Sequence, residues 1–144
     1  MTQRIDYYKV APKGLKNMLQ TEKYLSEVAL NAKLKELIKI RISQINKCAF
    51  CINTHALDAR KAGETEERIY GLNAWEECSF YSDAEKVALK LAEHVTNIST
   101  KRVSDTLYKQ IRQFYSDTEY IDLILLINQI NSWNRIAISM GNSI

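Results

Sequence analysis

Two thiols and an imidazole crowd the stretch Lys47-Cys48-Ala49-Phe50-Cys51-Ile52-Asn53-Thr54-His55. On a helix, Cys48, Cys51 and His55 fall at i, i+3 and i+7 and share one face. A Cys-x-x-Cys at a helix start brings two sulfurs close enough to form a disulfide. One thiolate attacks a substrate and the other resolves the product. With a peroxide, the attacking thiolate becomes a sulfenic acid, and the second thiol condenses with it. His55, one turn beyond Cys51, is within reach to accept its proton directly or through water.

Two other readings compete on the residues alone. Cys48, Cys51 and His55 could be three zinc ligands, but a structural zinc site takes four, usually from two separated pairs. Cys78 and His94 are the other soft candidates and each stands alone. Cys78 follows two acids at a helix end and His94 sits on a helix flank, so packing or surface roles are expected of both. The third reading is a purely structural pair of cysteines. A thioredoxin-like setting is not expected, because no strand precedes Cys48.

The chain around this segment must position it. Its 144 residues suffice for one domain with a real core, and a single helical domain over residues 1–144, with its core at about 12–140, is expected. One proline and four glycines are too few for the tight turns of a sheet fold. With 20 Lys+Arg against 17 Asp+Glu the net charge is +3, too mild to argue for nucleic acid, and no basic stripe is interleaved with aromatics. The longest run of aliphatic residues, Leu123 to Ile127, is far short of a membrane span. No charged stretch followed by an apolar one opens the chain, so no signal peptide is expected. Three cysteines do not make a secreted disulfide framework, which points to a reducing cytoplasm.

In order, Met1 to Val10 reads as a loosely held lead-in. A helix starts near Pro12 and Gly14 and runs to about Ser26. Leu30 to Ile45 forms the next, with Leu30, Leu34, Leu37, Ile38, Arg41 and Ile45 on one broad face. A buried Arg41 needs a partner, for which Asp58 is one candidate. Asn46 is expected to cap the following helix, placing Cys48 in its first turn, where backbone N–H groups lower a thiol pKa. Gly63 ends that helix as its C′ residue. Thr65 caps a helix carrying Ile69, Leu72 and Trp75. Ser82-Asp83-Ala84-Glu85 and Ser116-Asp117-Thr118-Glu119 are capping boxes, and Ser104 caps a short helix between them. The matching phrases Phe80-Tyr81-Ser82-Asp83 and Phe114-Tyr115-Ser116-Asp117 read as a recurring helix start. The last helix, Glu119 to about Met140, is apolar on nearly every side from Tyr120 to Ile127. Such a helix is either central in its own subunit or covered by another copy, so an oligomer is expected.

Glu36-Leu37-Ile38, then Ile45-Asn46-Lys47-Cys48-Ala49-Phe50-Cys51 and His55, then Asp58-Ala59-Arg60-Lys61-Ala62-Gly63-Glu64-Thr65, resembles the alkyl hydroperoxidase D-like group of the carboxymuconolactone decarboxylase family. Phe80-Tyr81-Ser82-Asp83-Ala84-Glu85 and Trp133-Asn134-Arg135 are similar to phrases of the same subgroup. The resemblance implies an all-α, multi-helix fold assembled as trimers or hexamers. It implies a relay of Glu36, Cys48, Cys51 and His55, with Cys51 attacking the peroxide and Cys48 resolving. On the residues alone Glu36 is a solvated helix flank, and Cys48 is nearer the helix-start N–H groups than Cys51.

The implied activity is reduction of hydrogen peroxide or alkyl hydroperoxides, with no bound cofactor or metal and an external dithiol or protein reductant. The fuller peroxidases of the group carry a further histidine between the cysteines, where this chain has Ala49 and Phe50. A redox-sensing oligomer with little turnover is the alternative that this departure leaves open. Phe50 could instead help close an apolar lining. The decarboxylase branch generally lacks the cysteine pair, so lactone decarboxylation is not expected.

Overall fold

A computed structural model describes residues 3–144. Its helices are α1 (Tyr7–Val10), α2 (Pro12–Glu27), α3 (Ala32–Ile45), α4 (Ala49–Lys61), α5 (Glu66–Tyr70), α6 (Asp83–Thr96), α7 (Asp105–Ile111) and α8 (Asp117–Met140), with a 3-10 turn at Gly71–Ala74 after α5. No strand occurs among the described residues, as the scarcity of turn residues leads one to expect. Among them, no helix is long and apolar enough to cross a membrane.

The helix starts follow from local chemistry. Ser82 and Ser116 each accept the N–H of a glutamate three residues on, and Glu85 and Glu119 reach back to the cap N–H, so both boxes are closed. Thr65 and Ser104 cap α5 and α7 with their hydroxyls. Pro12 occupies the first turn of α2, where its missing N–H costs nothing. Gly63 follows the end of α4 at φ +85, a left-handed conformation that favours glycine.

Helix α8 packs against α2, α3, α4 and α6, and beside it lies α3. Helix α3 packs against α4, α6 and α8, and Leu37, Ile38, Ile40 and Ile42 are all fully buried. These four positions cover a broad face of α3, and Lys35, Glu36 and Lys39 lie on the partly exposed remainder. Helix α8 buries Leu123, Leu126, Ile127 and Ile130 but leaves Ile121 and Leu125 at the surface, 54% and 36% exposed. The helix expected to begin at Leu30 begins at Ala32, because the Asn31 side chain accepts the N–H groups of Lys33 and Leu34.

Two further expectations are corrected. Arg41 pairs with Glu93 on α6 (Nε to Oε1, 2.8 Å), not with Asp58. Glu93 also accepts the Trp75 indole N–H at 2.9 Å, and the guanidinium reaches Asn73 at 2.8 Å. Asp58 faces Lys61 instead, at 3.2 Å. The N-terminal lead-in is also held rather than loose over its described part, Met1 and Thr2 lying outside it. The Arg4 N–H donates to Met140 O at 2.8 Å, its guanidinium to Ser139 O at 2.9 Å, and Asn142 Nδ2 to the Tyr7 hydroxyl at 2.9 Å. The start of the chain is thereby laid across the end of α8, and α1 comes to roof a cavity described below.

Candidate active site at the Cys48–Cys51 pair

Helix α3 ends one residue before a reversal that puts the cysteines in place. Asn46 closes α3 as its C-cap rather than opening α4. Lys47 then adopts φ 58, a left-handed conformation that costs a non-glycine residue about 1–2 kcal/mol. Buried hydrogen bonds on both sides hold the turn. The Asn46 amide donates to Asn131 Oδ1 and Asn134 Oδ1, both at 2.9 Å. The Cys48 N–H donates to Ser43 O at 2.9 Å, and the Asn134 amide to Ser43 Oγ at 3.0 Å. Trp133-Asn134-Arg135, quoted in the resemblance, therefore contributes Asn134 to the floor under the cysteines.

Cys48 itself is the N-cap of α4, and its sulfur accepts the Cys51 N–H at 3.4 Å. It lies even closer to the helix-start dipole than the expected first-turn position. Cys48 and Cys51 are joined as a disulfide, with their Cα atoms 5.3 Å apart. Both are buried, and Ala137 of α8 packs with them.

The two cysteines differ in their place beside a cavity. Cys51 lines a space of about 280 Å³ together with Phe50 and His55 of α4, Glu22 of α2 and Trp133 of α8, under Tyr7 and Tyr8 of α1. Cys48 does not line it. The expected apolar contribution of Phe50 is realised here. Thr54, one turn after Phe50, also faces the space.

His55 is oriented by Glu36. Its Nδ1 lies 2.9 Å from Glu36 Oε2, and Lys39 Nζ lies 2.8 Å from Glu36 Oε1. Burial alone would raise the Glu36 carboxyl, but the His55 hydrogen bond and the Lys39 ammonium outweigh it and hold the group below the usual glutamate value. An ionised carboxylate only accepts, so His55 Nδ1 carries the hydrogen and donates, leaving Nε2 free to act on another group. Glu36 lines a second cavity of about 270 Å³ with Lys35, Lys39 and Asp58, and Glu22 borders both spaces. Helix α3 thus brings Glu36 onto His55 across 19 positions of sequence.

A testable consequence concerns acid stability. The folded-state pKa of Glu36 is depressed. Its contribution is therefore present above the unfolded value, about 4.3, and is lost as pH falls through the lower folded value. Wild type is expected to melt above Glu36→Gln at neutral pH, with the gap closing on acidification below about pH 4. Thermal melts across that range check this; a gap that is constant with pH would contradict it.

Sequence reasoning missed Glu22, Tyr7, Tyr8 and Asn142 as cavity residues. Asp58 it had placed elsewhere; its carboxylate instead stands beside His55 and Glu36, their ligating atoms within 4.8 Å of one another. No local signal marks these residues, since each reaches the site from another helix or a terminus. The two remaining soft side chains lie apart from it. Cys78 approaches Gly71 O and Ala74 O, and the His94 ring donates to Arg102 O at 2.7 Å.

Residues 11–94 match the pattern of the Carboxymuconolactone decarboxylase family, a span that contains Glu36, Cys48, Cys51 and His55. The uncharacterized protein YdfG of Bacillus subtilis (strain 168) is 58% identical over 142 residues, covering 99% of this chain and 97% of that protein. A crystal structure from Agrobacterium tumefaciens, of a protein of unknown function offered as an antioxidant defence protein AhpD, superposes with a TM-score of 0.94 at 32% identity, over 99% of this chain and 97% of that one. The debrominase Bmp8 shares the fold, with a TM-score of 0.82 at 19% identity over 92% of this chain and 72% of its own.

Proposed function

The chain belongs to the carboxymuconolactone decarboxylase family, and from that premise we propose that it is a thiol-dependent peroxidase for hydrogen peroxide or alkyl hydroperoxides. What carries this reading is the cavity, where a disulfide-paired Cys51 is accompanied by an imidazole whose Nδ1 is tied to a carboxylate.

In the reduced protein, His55 Nε2 takes the Cys51 proton. The Cys51 sulfur attacks the terminal oxygen of the hydroperoxide; an S–O bond forms and the O–O bond breaks. The departing alkoxide takes a proton from His55 and leaves as the alcohol. Cys48 sulfur then attacks the sulfenic sulfur, forming the S–S bond and releasing the oxygen as water with the Cys48 thiol proton. An external dithiol returns two electrons and two protons, and is itself oxidised to a disulfide. Glu36 holds His55 in the donating tautomer throughout and stabilises the imidazolium when it forms.

Cys51 as the attacking sulfur is supported by its place on the cavity wall. Its rival has a real advantage, because Cys48 caps α4 and a thiolate there gains from the helix dipole. That stabilisation also suits a leaving group. When the reductant attacks the disulfide at Cys51, Cys48 is the better sulfur to expel.

Peroxide consumption with a dithiol reductant tests the proposal. Saturable turnover is expected, and His55→Gln should lower kcat/KM by about a hundredfold, the usual worth of a positioned base. Steady-state rates at background, with the disulfide still forming on peroxide addition, would instead favour a redox sensor. The observation that favours that second reading is Ala49 and Phe50 in the place where the fuller peroxidases carry a histidine.

A further inference from the structure

The cavity beside Cys51 has an uneven charge. Its walls are largely aromatic, from Tyr7, Tyr8, Phe50 and Trp133, and among the described residues no lysine or arginine lines it. Glu22 supplies the one carboxylate. Its Oε1 accepts the Trp133 indole N–H at 2.6 Å, which fixes the group against the wall. Among the described residues no ion pair neutralises it. Glu22 also borders the second cavity, where Lys39 pairs with Glu36 and Lys35 keeps its positive charge. Lys35 borders the other cavity and donates to Leu25 O at 2.9 Å.

An unpaired carboxylate in a concave, largely apolar setting acts over a distance. Low-dielectric walls focus its field into the space, and the aromatic surface cannot solvate an incoming anion. We infer that the cavity admits uncharged, apolar-bodied molecules to Cys51 and turns away anionic ones, with Glu22 as the residue that sets this preference. Where the incoming molecule is a hydroperoxide, the inference rests on the peroxidase reading above. Neutral alkyl and aryl hydroperoxides are then substrates, and hydroperoxides bearing a free carboxylate are not. The same gate applies to reductants, favouring a neutral dithiol over an anionic thiol.

The gate can be measured without any turnover. Iodoacetamide and iodoacetate alkylate the same thiolate and differ little in size, but only one is charged. Their rate ratio at Cys51 is independent of how much thiolate is present. The fully reduced protein would be treated with each at about pH 8.5, where thiols ionise appreciably, and Cys51 followed by peptide mass spectrometry. Relative to a free cysteine peptide, Cys51 should disfavour iodoacetate by a further factor of about ten. Glu22→Gln keeps an acceptor for the Trp133 N–H and should return the ratio to that of the peptide. Raising the salt concentration should weaken the wild-type preference, a measurement that needs no variant. A wild-type ratio equal to the peptide's, or one unchanged by Glu22→Gln, would overturn the inference.

A second arm compares cumene hydroperoxide bearing a para-carboxylate with its methyl ester. The ester should be preferred by about tenfold in kcat/KM. Equal turnover of the two, with no alkylation preference, would reject the gate and leave the peroxidase reading standing. An alkylation preference with neither hydroperoxide consumed would do the reverse.

Discussion

Cys51→Ser is expected to lower peroxide consumption by about a thousandfold or more, the scale on which removing a nucleophile acts. Cys48→Ser should also stop steady-state turnover, but by a different route. The first half-reaction survives in that variant, so one equivalent of peroxide is reduced and Cys51 stops as a sulfenic acid that dimedone traps. The asymmetry is the informative part, because the two sulfurs sit in different surroundings. Cys51 lines the cavity; Cys48 lies behind it as the helix cap. If thiolate stability alone chose the nucleophile, the cap position would win and the trapped sulfenic acid would appear in Cys51→Ser instead. That result would invert the assignment of roles while leaving the cysteine pair at the centre of the chemistry. Full activity in Cys51→Ser would remove the peroxidase reading altogether.

The second large effect concerns stability. Arg68→Met is expected to cost about 3–5 kcal/mol, the range for breaking a buried ion pair from one side. Glu64 is only 2% exposed. Its Oε1 accepts from Arg68 Nε at 2.8 Å and from the Thr65 N–H at 2.9 Å. The same guanidinium reaches Glu85 and Phe80 O, and lies 4.8 Å from the centre of the Tyr81 ring. It therefore ties the α4–α5 junction to the start of α6. Methionine fills much of the volume but leaves two carboxylates facing each other, one of them cut off from water. For a chain of this length the loss corresponds to roughly 6–20 °C in Tm. Glu64→Gln should cost less, since the amide oxygen still accepts from Arg68 and Glu85 keeps its cation. Urea unfolding of both variants and their double mutant measures the coupling; a loss below about 1 kcal/mol for Arg68→Met would show the cluster to be screened.

Local chemistry made a large part of this architecture readable. A capping box is closed within four residues, so Ser82 and Ser116 announce their helices whatever packs on them. Gly63 ends α4 because only its own backbone conformation is at stake. Periodicity failed where it was asked for a partner. Arg41 lay on the buried face as read, but its counter-ion came from α6, and no spacing rule reaches from α3 to Glu93. The aliphatic run in α8 was legible too: α8 packs against α2, α3, α4 and α6, though Ile121 and Leu125 stay at the surface. Asn46 looked like a cap for the helix after it. Its amide is instead spent on Asn131 and Asn134 of α8, and the cap is a cysteine.

For the site, the sequence by itself determined that two thiols and an imidazole share one face of one helix, since i, i+3 and i+7 are dictated by helix geometry. With the resemblance, it also named Glu36 as the fourth member. Only the tertiary structure put Cys51, and not Cys48, on the wall of the cavity that Glu22, Trp133 and α1 line. The charge of that space was decided the same way. Glu22 and Trp133 are 111 residues apart, and their hydrogen bond exists only because α2 and α8 lie together. Spacing along a helix is a property of the backbone, readable from any short window. A cavity is a property of the gaps between helices, and those are set by packing of the whole chain at once.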